Sequence, residues 1–400
     1  MGKEHKEGRP LRTVFMYNKK HVLLRLRMSG LEVVDIEKIY KKDFLPISLS
    51  RSLTIENLNS WIQKRLIPNS REGIKEARNL FPHFENYNCM FSLSDQYWFR
   101  YKKEQTWESL NFFTNDFSSD VGNVFFSPWD VDPSSAGDPS PDLTTNGILK
   151  KTWRKEGGVN FLYKAASADG RQQPISEILS SLIFKNLNFI PFVEYELDIY
   201  GLKMCSKCQN FINEMTEFVP ASHIYYLEPR PEGVSYYQHF LNMCKPFNIP
   251  NLKEHLDRMI AADFIIGNKD RHFGNFGFIR NVYDGHILSM APIFDSGLSF
   301  LTVEKESKAE KIFESERMRA LLSVMQTYDL KKAINCDQMF NLIDKYPELS
   351  KKTKAEMKTK ILEASENLTR LYDEASKQLQ NPKAGTTISD FEASDVTETI

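Results

Sequence analysis

The sequence predicts an α+β chain with a bilobal main body, an added N-terminal α+β module and a helical C-terminal lobe. Three observations predict it. Short alternating apolar runs fill residues 12–48 and recur between 159 and 219; apolar residues return at helical spacing from Ala309 onward; and an apolar helical run, Met259 to Ile266, delivers a polar loop. With 400 residues, 41% of them hydrophobic, the chain can bury two or three cores. A formal net charge of −1 argues against a polyanion-binding protein as such, although the first 27 residues are locally basic.

Residues 1–130 read as the N-terminal module. Strands centre on Val22-Leu23-Leu24 and Val33-Val34, and helices follow over 53–80, with Thr54 as the N-cap before Glu56 to Arg65. Residues 88–129 are rich in aromatic side chains, among them Tyr97, Trp98, Phe99, Tyr101, Trp107, Phe112 and Phe113, which are expected to be buried in packing. The Pro-, Ser-, Asp- and Gly-rich run 132–141 reads as a connector.

Residues 131–220 read as a nucleotide-binding unit. It has a strand, Val159 to Ala165, entered from a Glu156-Gly157-Gly158 turn, and then an amphipathic helix over Ser176 to Ile183. Val193 to Leu202 and Phe211 to Val219 alternate as paired strands, with Cys205-Ser206-Lys207-Cys208 as a hairpin turn between them. Residues 221–380 read as mainly helical, and 381–400 as a polar, disordered tail. Five cysteines, an odd count without a second Cys-x-x-Cys pair, fit a reducing compartment better than a zinc site. No apolar run approaches a membrane span and no secretory segment opens the chain, so a cytoplasmic protein is expected.

The chemistry concentrates in Gly267 to Phe278. Asp270 and Asn275 stand five apart, the Asp-x-x-x-x-Asn spacing of a phosphoryl-transfer loop, in which the Asp accepts a hydroxyl proton and the Asn carbonyl binds Mg²⁺. Alone, that spacing is ordinary turn chemistry. Here two short strands, Phe276 to Asn281 and His286 to Met290, return the chain beside the loop at Pro292-Ile293-Phe294-Asp295-Ser296-Gly297, where Asp295 supplies a second Mg²⁺ ligand. Lys164, on its strand, is the candidate phosphate-binding lysine, and Glu177, on the helix that follows, its ion-pair partner. Thr144, Thr145 and Gly147, with Lys150 and Lys151, form a loop able to lie over the ATP phosphates through backbone N–H groups. Phe218 and Val219 mark the position of an adenine-binding hinge, Asn268 is a further nucleotide-binding candidate at the loop entrance, and Phe300 to Glu316 reads as an activation segment.

With these residues assembled, residues 140–345 resemble the HipA-like family, protein-kinase-like serine/threonine kinases best known as toxins of bacterial toxin–antitoxin pairs. The resemblance implies Asp270 as catalytic base, Asn275 and Asp295 as Mg²⁺ ligands, Lys164 on the nucleotide, and ATP and Mg²⁺ as cofactors. It also implies a self-phosphorylated loop, whose serine is replaced here by Thr144 or Thr145 ahead of Gly147. The expected partners are a protein substrate and an antitoxin or DNA-binding protein, with no direct nucleic-acid contact and no membrane. Arg271-His272 after the Asp also resembles the Asp-Arg-His loop of phosphoinositide kinases, so a lipid kinase is the first alternative, and a non-catalytic nucleotide-binding regulator the second. Residues 1–130 do not match the family's usual N-terminal subdomain.

Overall fold

The computed structural model describes residues 10–67, 69, 74–80, 92–117, 122, 123, 126, 150–166, 172–300 and 312–380. The expectations for the 132–141 connector, for Thr144, Thr145 and Gly147, for most of the activation segment and for the tail lie outside these residues.

Alternation builds the first sheet from β1 (Leu11–Asn18), β2 (His21–Ser29), β3 (Glu32–Ile39) and β4 (Tyr97–Arg100), all antiparallel in the order β3-β2-β1-β4. Val14 and Met16 pair with Leu26 and Leu24 on the buried face, while Arg25 and Arg27 point outward. Helix α1 (Ile55–Arg65) covers that face with Leu58, Trp61 and Ile62, and starts where the Thr54 side chain accepts the Asn57 N–H. A shorter helix, α2 (Ile74–Leu80), follows. Trp98, Phe99, Trp107 and Phe112 complete this core, so these aromatics are packing, while Tyr101 and Phe113 lie against it half-buried.

The second sheet holds β5 (Lys151–Glu156), β6 (Val159–Ala165), β7 (Tyr195–Tyr200) and β8 (Lys203–Gln209) in the order β5-β6-β8-β7. Here one expectation fails. The partner of β7 is Lys203–Gln209, not the segment ending at Val219, because the chain already reverses at Gly201, where φ is +59°. The Cys-x-x-Cys pair therefore lies inside a strand rather than on a turn. Three positions apart on a period-two element, Cys205 and Cys208 face opposite sides of the sheet, and only Cys208 joins Ile178, Val193 and Tyr195 in a small core.

Residues 216–219 of that expected strand fall in β9 (Thr216–Pro220), which pairs with β10 (Gly277–Asn281) and through it with β11 (Ile287–Met290) in a third antiparallel sheet. Gly277 is obligatory there, since a Cβ on it would stand 2.1 Å from the Val219 carbonyl oxygen. Helix α3 (Gln173–Leu187) packs on β7 and β8 of the second sheet, and α4 (Tyr236–Cys244), α5 (Leu252–Ile265), which meets β11, α6 (Arg317–Met325), α7 (Cys336–Lys345) and α8 (Lys351–Gln380) follow. Their inward residues, such as Phe240, Ile260, Leu321, Met339 and Ile361, form the largest core with Phe278. No helix among the described residues is long and apolar enough to cross a membrane.

A buried polar seam joins the first sheet to the third. Glu217 accepts from Asn18 at 2.9 Å and from Arg280 at 3.2 Å, and Arg280 also donates to the Tyr97 hydroxyl and to the Asp43 and Leu45 carbonyls. The Ser94 carbonyl accepts the Phe218 N–H at 2.8 Å, and the Gln96 amide donates to Asn213 and Thr216. The free edge of β9 is thus covered by the chain leading into β4.

Two outcomes test this packing. Gly277→Ala should lower the unfolding free energy by about 3 kcal/mol, the upper end of overpacking costs, in urea melts. A change below about 0.5 kcal/mol would contradict the close approach of β9 and β10. The His255 ring on α5 has a buried Nε2 without a hydrogen-bond partner, and burial, then the charge of Arg258, push its pKa down to about 4. A group depressed in this way contributes stability above its unfolded value of about 6.5 that is lost as pH falls toward 4. Urea midpoints should therefore fall across that window, and His255→Gln should make the fall shallower; an unchanged slope would contradict it.

Candidate active site

Helix α5 ends in a Schellman motif. Gly267, at φ +60°, donates its N–H to the Phe264 carbonyl, and the Asn268 N–H reaches back to the Asp263 carbonyl at 2.9 Å. This turns the chain sharply out of the apolar helix into the polar loop. Asp263, a carboxylate 4% exposed within that helix, is the anchor. Its oxygens accept two bonds from Arg271, at 2.8 and 3.0 Å, and one from the Asn268 amide at 2.8 Å. The Asn268 Oδ1 in turn accepts the Asp270 N–H at 3.1 Å.

The loop then closes on itself. Asn275 Nδ2 donates to the Asp270 carbonyl at 3.0 Å, which commits the nitrogen end of that amide and leaves Oδ1 as the end able to meet a cation. Arg271 Nη1 donates both to the Asn275 carbonyl and, at 2.8 Å, to the Phe294 carbonyl. One guanidinium therefore ties α5, the Asp270–Asn275 loop and the residue before Asp295 together.

Across this tie lies a second network. Lys164 Nζ donates to Glu177 at 2.6 Å, to Asp295 at 3.0 Å and to the Tyr195 hydroxyl at 3.3 Å. Ser206 on β8 donates to the other Glu177 oxygen, and the Asp295 N–H donates to Tyr195 at 3.2 Å. Lys151, opposite Lys164 in the β5–β6 register, is also buried.

Burial alone would raise the Asp295 carboxyl, but Lys164, then Lys151 and Arg271, outweigh it and hold the group well below the usual carboxylate range. Burial pulls Lys164 down, yet Asp295 and Glu177 hold it well above the usual ammonium range. Lys164 is thus an ammonium beside an ionised Asp295. The Asp295 side chain keeps 35% of its surface exposed against 5% for Lys164 and 3% for Glu177, so it is the member of this network that a ligand reaches first.

The residues singled out in the sequence fall into three groups. Lys164, Glu177 and Asp295 meet in one network, and Asn268, Asp270 and Asn275 in the other. Asn268, 1% exposed, spends its side chain inside the loop, which makes it a brace for Asp270. Phe218 and Val219 lie on β9, where the Phe218 N–H is committed to Ser94. Thr144, Thr145 and Gly147 are outside the described residues. Sequence reasoning missed Asp263, Tyr195 and Ser206, and read Lys151 as part of a loop. A single carboxylate inside an apolar helical run was the available signal for Asp263, since buried charges need partners. No local pattern marks Tyr195 or Ser206.

Asp295 and Asn275 supply oxygen donors only, which fits a hard divalent cation such as Mg²⁺ held jointly with phosphate oxygens and water. Among the described residues no group of three or more His, Cys, Asp or Glu could hold a metal ion.

The fold is similar to that of a chain in the Shewanella oneidensis MR-1 toxin–antitoxin complex of HipA, HipB and operator DNA. The two align over 91% of this chain and 99% of that one, at 13% identity and a TM-score of 0.50. The Helicobacter pylori proinflammatory kinase CtkA aligns over 57% of this chain and 95% of its own, at 19% identity and a TM-score of 0.47. No family model matches the chain, and no curated protein matches its sequence. The mixed α/β architecture with its antiparallel sheets is therefore HipA-like in fold.

Removing the anchor tests this geometry. Asp263→Ala leaves Arg271 buried without its carboxylate and should cost about 3–5 kcal/mol in chemical denaturation. A loss under about 1 kcal/mol would show that Arg271 is not held by Asp263.

Proposed function

We propose that this chain is an ATP- and Mg²⁺-dependent serine/threonine protein kinase of HipA-like type, acting in the cytoplasm. One observation carries the reading. Lys164 on β6, Glu177 on α3 and Asp295 after β11 meet in one network, and Arg271 bonds both the Phe294 carbonyl beside it and the Asn275 carbonyl of the Asp270–Asn275 loop, which we read as two halves of a phosphoryl-transfer site. In this reading residues 1–130 are the added module, 131–220 the nucleotide-binding N-lobe, 221–380 the mainly helical C-lobe and 381–400 a tail.

Lys164, held at 2.6 Å by Glu177, donates to nucleotide phosphate oxygens. Asp295 and the Asn275 side-chain Oδ1 would hold Mg²⁺, which would neutralise charge on the phosphates. Asp270, braced by Asn268 and Asn275, takes the proton of a Ser or Thr hydroxyl as its oxygen attacks the γ-phosphorus; the bond to the β,γ-bridging oxygen breaks and ADP leaves. Thr144 or Thr145 is the self-phosphorylation site in the loop containing Gly147. Because a chain of similar fold occurs in a complex with HipB and operator DNA, an antitoxin-like protein is the partner we infer. The expectation that this chain itself leaves nucleic acid alone rests on its charge balance only.

The lipid-kinase alternative drew on Arg271-His272. Arg271 is 8% exposed and bonded to Asp263, Asn275 and Phe294, so it serves the interior of the loop, a role that is the same for a protein or a lipid substrate.

Purified protein given labelled ATP and Mg²⁺ should transfer phosphate to itself at Thr144 or Thr145, read by mass spectrometry. Asp270→Asn and Asp295→Asn should each lower transfer by about 10³-fold or more with circular dichroism unchanged. Full residual transfer in both variants would sink the assignment, and ATP binding without any transfer would favour the non-catalytic regulator.

A further inference from the structure

Phe294 and Asp295 share one peptide unit, and side chains hold both of its polar ends. Its carbonyl accepts from Arg271 at 2.8 Å, and its N–H donates to the Tyr195 hydroxyl at 3.2 Å. The residue just upstream is already fixed by a backbone ladder, in which Ile293 donates to Pro191 at 2.9 Å and accepts from Val193 at 2.8 Å. The next residue is strained: Asp295 stands at φ +58°, a left-handed conformation that a side chain with a Cβ adopts at a cost of about 1–2 kcal/mol. A strained residue persists only where its surroundings over-determine it, and this doubly clamped peptide is the surrounding that does so. Rotating that peptide would carry Asp295 toward ordinary negative φ and swing its carboxylate off Lys164.

Resting on the reading of Asp295 as a metal ligand, we propose that Arg271 and Tyr195 are positioning residues that hold Asp295 in its left-handed conformation, and so keep its carboxylate aimed at the metal and phosphate position. Neither touches substrate. Tyr195 is 6% exposed and Arg271 8%, and each spends its polar atoms inside the protein. The same Arg271 nitrogen that takes the Phe294 carbonyl also takes that of Asn275, so both metal-ligand segments share one tether. Tyr195 likewise accepts from Lys164 as well as from Asp295.

Two variants test it. Tyr195→Phe removes one oxygen and little else; Arg271→Lys keeps a cation beside Asp263 but cannot reach all three partners. Two titrations are made on wild type and variants: Mn²⁺ binding by electron paramagnetic resonance with a non-hydrolysable ATP analogue present, and analogue binding without metal. Mn²⁺ affinity should fall about 10-fold or more in each variant, in line with the loss of partners that orient a ligand, while metal-free analogue affinity stays within about 2-fold. Unchanged Mn²⁺ affinity in Tyr195→Phe overturns the clamp. Equal losses in both titrations also overturn it, because they trace the defect to Lys164. If Arg271→Lys does not fold, Tyr195→Phe decides alone. Wild type that binds neither Mn²⁺ nor analogue overturns the reading of the site, and the clamp with it, an outcome distinct from the other two.

Discussion

The buried ion pair between Asp263 and Arg271 is the interaction on which the rest of the site depends. Two charges taken out of water carry a desolvation cost of several kcal/mol, recovered only when geometry is good and every remaining donor has an acceptor. The geometry is good, and four hydrogen bonds engage the guanidinium. The carboxylate meets the guanidinium with two bonds, and the nitrogen left over reaches two backbone carbonyls that no sheet or helix satisfies. The pair therefore sets where the Asp270–Asn275 loop and Asp295 stand relative to α5, whose last two turns are almost wholly buried.

The proposed function draws on a contrast in solvation. Lys164 and Glu177 are almost wholly buried and locked to each other, whereas Asp295 is partly exposed and kept ionised by the cations behind it. A low-dielectric floor of fixed charges under one accessible carboxylate suits the cation and anionic ligand of the proposed reaction. The polar seam at Glu217 and Arg280 extends the same logic outward, because it fixes β9, and hence β10 and the end of the loop, to the first sheet.

The parts legible in the sequence were the local ones. Asp270, Asn275 and the turn back to Asp295 lie within thirty residues, so spacing alone brought them together, and the Gly267 stop and the Thr54 cap were readable for the same reason. Lys164 and Glu177 were legible because a lysine at a strand end and a glutamate one helix later repeat a known spatial relation. What failed was non-local. The polar run Lys203–Gln209 does not look like an inner strand, since its burial comes from β6 on one side and β7 on the other. Tyr195, Ser206 and Ser94 act through contacts that cross dozens of residues and leave no pattern in their own neighbourhood. Arg271 was noticed only as part of an Asp-Arg-His motif, and its bond to the carboxylate on α5 was not legible because Asp263 lies in a helix that reads as apolar.

We propose that the two networks joined by Arg271 make one site for a metal–nucleotide complex. Calorimetric titration of the purified chain with a non-hydrolysable ATP analogue, with and without Mg²⁺, tests it most directly. The account predicts one site per chain, tightened by Mg²⁺ in wild type and no longer tightened by it in Asp295→Asn. Absence of nucleotide binding, or binding equally tight with and without the metal, would contradict it.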